Sequence, residues 1–296
     1  MKKSFGYYLV RFVLKLKGLK AIFSTSPVDY RKLRKSDVLL PPRSLFNSAR
    51  ISMLNVLKTV IVEITPVENS ADRLLIYLHG GAFISGPAQH HWDSLKKIGN
   101  ATHMTLWTCR YPRGPESQID EISANIDEVY QLALTRFNPT AIVIAGDSAG
   151  ATLAMALIQR LRAKQIAIPK KLVLISPVAD AAFTNPEIKE VERKDVMLAK
   201  TGVLSAKQMV AVDGDLNDQN LSPLYGSFDG FPETLFFAAT NDITYPDQKL
   251  LIEKMKNAQV QYKLIIGEDM PHIWPLLPIM RESRVALADM ISFLKQ

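Results

Sequence analysis

The chain has 296 residues, of which 47% are hydrophobic and 22% are charged. This composition is typical of a globular protein and excludes disordered and fibrous classes, and the length suits a single α/β domain. The one cysteine, Cys109, excludes an internal disulfide and predicts a reducing, cytoplasmic location.

The net charge of +7 is carried by the beginning of the chain. Residues 1–50 contain twelve lysines and arginines against two aspartates, a balance of +10. The remaining residues contain 24 basic and 27 acidic side chains, a balance of −3. Because the main body is not basic and carries no nucleic-acid motif, we expect no nucleic-acid partner.

The basic N-terminal segment is also amphipathic. Its apolar side chains recur at helical spacing and form one stripe: Phe5, Tyr8, Leu9, Phe12, Leu16, Leu19 and Phe23. Four cations between Arg11 and Lys20 interrupt it, which argues against a membrane span or a signal peptide. Two interpretations stay open: the helix packs its stripe onto the body, or residues 1–23 make a peripheral contact with an anionic membrane surface. A lid that both packs on the body and contacts a membrane would also agree with this pattern.

Apolar runs of strand length alternate with helical patterns along the rest of the chain. The predicted strands are 60–65, 74–78, 104–109, 141–145, 172–175, 235–239 and 262–266, and the main predicted helices are 119–135, 149–163, 246–258 and 281–294. This alternation predicts an α/β fold with a mostly parallel central sheet flanked by helices. The uninterrupted apolar runs 141–145 and 172–175 are typical of central strands buried on both faces.

One interval breaks the alternation. Between Asp180 and Pro232 the chain has no clear strand over about fifty residues, and a connection of that length is typical of an insertion or a functional lid. We therefore predict a core of residues 60–180 and 232–296. Residues 1–59 are expected to form a lead-in and first cap segment, and residues 181–231 a cap insertion.

A short glycine-flanked motif follows the apolar run 141–145. It reads Gly146-Asp147-Ser148-Ala149-Gly150 and is followed by a helical pattern. A serine on a sharp strand-to-helix turn is exposed above the sheet, where its hydroxyl can act as a nucleophile. The flanking glycines allow strand and helix to approach closely. We take Ser148 as the candidate nucleophile.

A serine hydroxyl needs a base, and the base needs an orienting carboxylate. Of the five histidines, His272 follows a late predicted strand by a short turn, as a base at the carboxyl edge of the sheet should. Asp242 comes just after strand 235–239 and is the candidate acid. Asp247 is its competitor, although it lies in the first turn of the next helix, where a carboxylate complements the helix dipole.

Charge that develops on a substrate carbonyl needs preorganised hydrogen-bond donors, an oxyanion hole. The segment His79-Gly80-Gly81-Ala82-Phe83 follows strand 74–78 directly. We predict the amides of Gly81, Ala82 and Ala149 as these donors and give His79 a positioning role. His90 and His91 open a predicted helix, where a surface or capping role is expected.

These motifs, with residues 111–116, 242–247 and 270–274, resemble the hormone-sensitive-lipase-like family of α/β-hydrolases, which includes arylacetamide-deacetylase-like enzymes and bacterial carboxylesterases. The resemblance covers most of residues 60–296 and implies an α/β-hydrolase fold with a two-part helical cap. The order Ser148, Asp242, His272 is the order of that fold. Ala82 stands where the family often has a glycine, and it should serve if its backbone does not require a positive φ.

The predicted function is a serine hydrolase that cleaves carboxylic esters with short to medium acyl chains through an acyl-enzyme. The predicted partner is a small-molecule ester, and neither a metal nor an organic cofactor is expected. Alternatives with the same triad are an amidase, a deacetylase or a lactonase. A different class is a non-catalytic small-ligand receptor, as the plant gibberellin receptors show for this family, and a third is lipid handling at a membrane surface.

Overall fold

A computed structural model describes residues 3–67 and 71–296. Its strands are β1 (Ala49–Val56), β2 (Thr59–Pro66), β3 (Ala71–Leu78), β4 (Met104–Arg110), β5 (Ile142–Asp147), β6 (Lys171–Ile175), β7 (Glu233–Ala239) and β8 (Tyr262–Gly267). The helices are α1 (Phe5–Leu16), α2 (Leu19–Phe23), α3 (Tyr30–Arg34), α4 (Gln89–Thr102), α5 (Ile119–Arg136), α6 (Ala149–Ala163), α7 (Ile188–Glu192), α8 (Lys200–Gln208), α9 (Tyr245–Asn257) and α10 (Arg281–Lys295).

The strands form one sheet in the order β1-β2-β4-β3-β5-β6-β7-β8. Strand β2 runs antiparallel to β1 and β4, and every other neighbouring pair is parallel. The predicted mostly parallel sheet is confirmed, and all seven predicted strands are present. Strand β1 was missed because its side chains alternate between exposed and half-buried and form no apolar run.

Alternating side chains of the central strands feed two hydrophobic cores, one on each face of the sheet. Leu75 and Val143 face a core shared with α4 and α10, whereas Leu74 and Ile144 face a core shared with α5, α6 and α9. Strands β5 and β6 are buried along their whole length, as predicted. The carboxyl ends of the parallel strands therefore share one edge on a rigid platform, where loops can hold functional groups.

The N-terminal helix packs through a different face from the predicted stripe. Tyr7 and Val10 of α1 are buried against the body, whereas Phe5 is 83% and Leu16 is 70% exposed. The interpretation that the stripe packs onto the body is therefore wrong for α1. Gly18, at φ 64°, separates α1 from α2, and Phe23 at the end of α2 is buried. Among residues 3–67 and 71–296, no helix has both the length and the apolar content to cross a bilayer.

Residues 181–231 contain α7, α8 and short 3₁₀ turns rather than a strand. They contact the N-terminal segment closely. A Cβ on Gly202 of α8 would overlap the backbone of Phe23, so the glycine lets the two backbones touch. The Val28 amide also donates to the Ser205 hydroxyl at 3.0 Å. The N-terminal segment around Phe23 and Val28 thus packs directly on α8.

Candidate active site

Ser148 occupies a strained turn between β5 and α6. Its φ of 51° and ψ of −120° lie where side chains rarely occur, and its amide is anchored to the Ile175 carbonyl at 2.9 Å. A Cβ on Gly146 would come 2.5 Å from the Gly150 carbonyl oxygen, and a Cβ on Gly150 would overlap the Leu78 backbone. The two glycines are thus required by close backbone approach, as predicted. The turn leaves Ser148 partly exposed while its neighbours in the motif are buried.

His272 and Asp242 form a buried hydrogen-bonded pair. The His272 Nδ1 atom lies 2.7 Å from Asp242 Oδ2, and the other carboxylate oxygen accepts the Thr244 amide at 2.9 Å. An ionised carboxylate only accepts hydrogen bonds, so the imidazole proton sits on Nδ1 and the lone pair on Nε2. Burial opposes protonation of His272, but the charge and hydrogen bond of Asp242 raise its pKa above the usual range. This tautomer is the one a general base requires.

The loops that carry Asp242 and His272 are fastened to each other and to the sheet edge. The Asn241 side chain donates to the Asp269 carbonyl at 3.0 Å, and the Asp269 amide donates to the Thr240 hydroxyl at 2.7 Å. Next to His272, the Ile273 amide donates to the Ser176 hydroxyl at 3.1 Å. These bonds fix the position of the imidazole relative to the carboxyl ends of β6, β7 and β8. Asp247 is also buried, and no hydrogen bond or ion pair joins it to His272 in the described residues.

The predicted donor loop follows β3 with three consecutive positive φ angles. Gly81 has φ 120°, Ala82 has φ 55° and Phe83 has φ 65°. The condition that the Ala82 backbone does not require a positive φ is therefore not met. A left-handed conformation costs roughly 1–2 kcal/mol for an L-residue. In the described part of the chain, the amides of Gly81 and Ala82 have no acceptor. Ala149 is the first residue of α6, where backbone amides also lack intrahelical partners.

Asp147, beside the candidate nucleophile, ties the donor loop to the turn. Its Oδ1 atom accepts the Tyr77 hydroxyl at 2.8 Å and the Gly80 amide at 2.9 Å. Burial opposes ionisation of this carboxyl, but His91 and the hydrogen bonds lower its pKa far below the usual range. A fixed negative charge thus holds Gly80 in place. Sequence reasoning assigned Asp147 no role, because its partners lie up to 70 residues away along the chain.

His79 has the positioning role that was predicted. Its ring is fully buried, donates from Nδ1 to the Gly80 carbonyl at 2.7 Å and stacks on Tyr111 with 4.4 Å between ring centroids. The Tyr111 hydroxyl in turn donates to the His79 carbonyl. Further along, the Gly114 amide donates to the Phe83 carbonyl at 2.9 Å. Residues 111–116, part of the family resemblance, therefore support the donor loop from behind.

His90, His91 and Asp147 place possible ligand atoms within 4.8 Å of one another. The hydrogen bonds disfavour a metal there. The His91 Nδ1 atom accepts the Ala88 amide at 2.9 Å, so the proton sits on Nε2, which lies 3.2 Å from Asp147. A metal at Nε2 would have to displace that proton, and a metal at Nδ1 would have to displace the Ala88 amide from the lone pair. The prediction of a surface or capping role is confirmed for His91, which caps α4 from a buried position.

Two further buried ionisable groups, both in residues 181–231, contact loops of the site. Asp195 accepts the amides of Met197 and Leu198 through one oxygen and the Ile243 amide, at 3.0 Å, through the other. Burial and the nearby charge of Asp242 raise the pKa of Asp195 to about 6. Asp195 therefore links this segment to the loop that holds the candidate acid. The sequence analysis did not identify Asp195 as a functional residue. In the sequence it is marked only by its position before the apolar run 196–199.

Lys207 is the second of these groups and lies on α8. Its side chain is fully buried, and its Nζ atom stands 4.1 Å from the centroid of the Phe83 ring. Burial lowers the pKa of Lys207 to about 7. Through this contact α8 packs directly on the donor loop, so the segment over the site also shapes it.

A cavity of about 660 Å³ joins these parts. Ser148, His272, Gly81 and Ala82 line its floor. The remaining walls are mainly apolar and come from both flanking segments: Leu9, Val10, Val13, Leu14, Leu19, Ile22, Phe23, Leu33, Met197, Leu198 and Val203. Concave, mostly apolar sites of this size with a few convergent polar groups are typical of small-molecule binding.

The fold and this constellation agree with known proteins. A family described by its α/β-hydrolase fold matches residues 75–276. The chain belongs to this family. An esterase of Acinetobacter venetianus is 32% identical over 232 residues, which cover 76% of this chain and 75% of that protein. An acetyl-hydrolase of Streptomyces hygroscopicus is 27% identical and is covered to 75%.

Solved structures extend the likeness to the whole chain. An esterase from the bacterial hormone-sensitive lipase family superimposes with a TM-score of 0.84 at 24% sequence identity, covering 100% of this chain and 99% of that one. The predicted resemblance to the α/β-hydrolases is therefore confirmed, and the superposition with a hormone-sensitive-lipase-family esterase shows the same fold. This superposition includes the N-terminal helices and residues 181–231 of the α/β-hydrolase.

Proposed function

We propose that this α/β-hydrolase cleaves carboxylic esters with Ser148 as nucleophile, His272 as general base and Asp242 as the orienting acid. It is a hydrolase of the carboxylesterase type, as its relatives named esterase and acetyl-hydrolase support. The observation that carries the residue assignment is the 2.7 Å hydrogen bond between the buried Asp242 and His272, which lines the same cavity as Ser148 on its strained turn.

In the proposed reaction, the Ser148 hydroxyl oxygen attacks the ester carbonyl carbon while its proton passes to His272 Nε2. The tetrahedral intermediate collapses, the carbon–oxygen bond to the alcohol breaks, and His272 returns the proton to the leaving alkoxide. A water molecule then attacks the acyl carbon while its proton passes to His272. The bond from that carbon to Ser148 Oγ breaks, His272 returns the proton to the serine oxygen, and the acid is released. Asp242 holds the tautomer and stabilises the imidazolium at each step.

The proposed oxyanion donors are the amides of Gly81, Ala82 and Ala149. Two of them follow β3 and the third begins α6, so they approach the cavity floor from two sides. The Asp147–Gly80 hydrogen bond supports this assignment because it fixes the donor loop to the nucleophile turn. Donors held in place before the reaction stabilise developing charge without reorganisation, and the loss of one typically costs ~10²–10³-fold in rate.

The size of the cavity supports esters with short to medium acyl chains. We expect kcat/KM of nitrophenyl esters to peak between acetate and octanoate and to fall for longer chains, because the apolar walls end at the cavity mouth. The measurement is a series of initial rates over acyl chain length, with Ser148→Ala enzyme as the blank. A nitroanilide of the best acyl group and a lactone of similar size test the amidase, deacetylase and lactonase alternatives. Binding of these compounds without turnover would instead indicate a receptor.

The raised pKa of His272 predicts the pH dependence of the reaction. His272 must be neutral to accept the Ser148 proton, so activity is lost as pH falls through its pKa. We expect the midpoint of the acid limb of kcat/KM to lie above 6.5, the usual pKa of histidine. The measurement is a pH profile read at the isosbestic wavelength of nitrophenol. Asp195→Asn removes a charge that raises the His272 pKa and should move the midpoint to lower pH. A wild-type midpoint below 6.5 would contradict the assignment.

Residues 1–59 are proposed to form an N-terminal cap segment and a lead-in, with β1 in the lead-in, and the cap segment is proposed to act with residues 181–231 as a two-part cap over the core. Their contact through Gly202 and Phe23, and their joint contribution to the cavity walls, support this division. We also propose that residues 1–23 make a peripheral membrane contact. The support is the apolar face of α1 that the fold leaves exposed.

A further inference from the structure

The exposed face of α1 is an apolar surface that the fold does not use. Its members lie three or four residues apart on one side of the helix, and we call them the outer face: Phe5, Tyr8, Leu9, Phe12, Val13 and Leu16. Phe5 and Leu16 at its two ends are 83% and 70% exposed, and Phe12 in the middle is 60% exposed. The opposite side of the helix already supplies Tyr7 and Val10 to the core. Large contiguous apolar patches on a surface indicate an interaction site.

The outer face continues into the catalytic cavity. Leu9 and Val13 belong to the outer face and also line the cavity. Pro278 and Ile279 line the same cavity, and Ile279 is 63% exposed. An apolar path therefore leads from the surface of α1, past these residues, to Ser148 on the cavity floor. A molecule that rests against the outer face thus lies at the cavity entrance.

Exposed lysines lie at this entrance, where the carboxylates of Asp37 and Asp93 already have partners in Arg113 and Gln89. Lys17 and Lys32 line the cavity mouth and are exposed, and Lys15 and Lys35 are exposed nearby in the sequence. None of these four lysines has a carboxylate within ion-pair distance in the described residues. An exposed apolar helix face flanked by unpaired lysines is the arrangement that binds the interface of an anionic bilayer.

We infer that the outer face of α1 docks on an anionic lipid bilayer and that esters dissolved in the bilayer pass directly from it into the catalytic cavity. The substrate class is then an ester apolar enough to partition into lipid. The inference rests on the proposed ester hydrolysis and names where its substrate comes from. The lysines at the rim set the preference for anionic lipid, and the outer face supplies the apolar contact.

The test compares two surface variants of the full chain. The first is Phe5→Gln/Phe12→Gln/Leu16→Gln, which changes the outer face without touching a cavity-lining residue. The matched control is Met53→Gln/Leu57→Asn/Leu250→Gln, three exposed apolar residues on β1, the following turn and α9. Deletion of residues 1–23 is a poorer test because it would also remove the buried Tyr7, Val10 and Phe23.

Binding is measured by co-sedimentation with phosphatidylcholine vesicles that contain or lack phosphatidylglycerol. We expect wild type and control to bind the anionic vesicles and the outer-face variant to bind at least about tenfold more weakly, since each side chain loses part of its apolar burial. Lys15→Gln/Lys35→Gln should weaken binding to anionic vesicles by about tenfold and leave binding to neutral vesicles unchanged. Equal binding by wild type and the outer-face variant would overturn the docking surface.

Delivery of substrate is measured with nitrophenyl octanoate, an ester of preferred chain length that partitions into lipid, embedded in the anionic vesicles, and with soluble nitrophenyl butyrate in the absence of lipid. The outer-face variant should lose about tenfold or more on the embedded ester and keep the wild-type rate on the soluble one. Unchanged hydrolysis of the embedded ester would overturn the entry route. A wild-type dimer that becomes monomeric in the outer-face variant, without vesicle binding, would show that a second copy covers the face. Failure of wild type to hydrolyse the soluble ester would instead refute the proposed function.

Discussion

Replacing Ser148 with alanine is expected to lower kcat for nitrophenyl butyrate by about 10⁴- to 10⁶-fold. The hydroxyl oxygen is the atom that forms the acyl bond in the proposed reaction. The fold should be retained, because the backbone around Ser148 is held by the Ile175 carbonyl and by the two flanking glycines rather than by the hydroxyl. The measurements are initial rates under saturating substrate and a thermal unfolding curve.

A matched control separates loss of the nucleophile from a general effect on the cavity. Ser36 lines the mouth of the same cavity and is exposed, so Ser36→Ala should keep kcat within about twofold of wild type. A serine-directed sulfonyl fluoride should add one adduct to wild type and to Ser36→Ala, and none to Ser148→Ala, as read by intact mass. If Ser148→Ala retained wild-type turnover or still formed the adduct, the nucleophile would have to be another residue.

The elements that the sequence predicted well are those whose local pattern has one physical explanation. Strands β5 and β6 are covered on both faces, so they had to be continuous apolar runs. The turn at Ser148 needs glycines wherever strand and helix backbones touch, and the motif has glycines at those positions. Asp242 and His272 each follow a parallel strand, and the carboxyl ends of such strands share an edge. Their 2.7 Å contact was therefore foreseeable without a structure.

Two kinds of feature could not be predicted from the sequence. One is which of two apolar faces of a helix packs on the body, and the other is a contact between residues far apart in the chain. The outer face of α1 and the side that carries Tyr7 and Val10 are both apolar, and helical spacing does not reveal which of them meets the body. Asp195 contacts Ile243, which lies 48 residues further along the chain, and no local motif predicts this contact. Strand β1 lies at the sheet edge, where half-exposed side chains remove the apolar signal.

Ala82 shows how a local rule can be overridden. Ala82 was expected to serve in the donor loop if its backbone did not require a positive φ, yet Ala82 has a φ of 55°. The loop is held by hydrogen bonds from Ile84 and Ser85 to the Gly81 carbonyl and by the Asp147 carboxylate on Gly80. These contacts offset the local backbone cost. Strain of this kind is common where the backbone itself supplies functional groups.

Asp242→Asn is expected to lower kcat by about 10⁴-fold at neutral pH. The Thr244 amide donates to Asp242 Oδ1, so the single oxygen of an asparagine would be drawn to that position and its NH₂ group would face His272 Nδ1. The imidazole would then have to accept at Nδ1 and carry its proton on Nε2, the atom that must receive the Ser148 proton. The loss thus comes from the wrong tautomer in an otherwise preserved loop. The measurement is kcat with nitrophenyl butyrate, together with thermal unfolding.

Asp247→Asn is the matched control, because Asp247 is also a buried carboxylate and lies only five residues further along the chain. It belongs to the first turn of α9, and burial raises its pKa to about 6, so it is close to neutral under mildly acidic conditions. Its replacement should change kcat by no more than about threefold and affect stability by less than about 1 kcal/mol through the helix dipole. If Asp247→Asn were the more damaging substitution, the orienting acid would be Asp247. The Asp242–His272 hydrogen bond would then be structural, and the catalytic loop would have to rearrange before reaction.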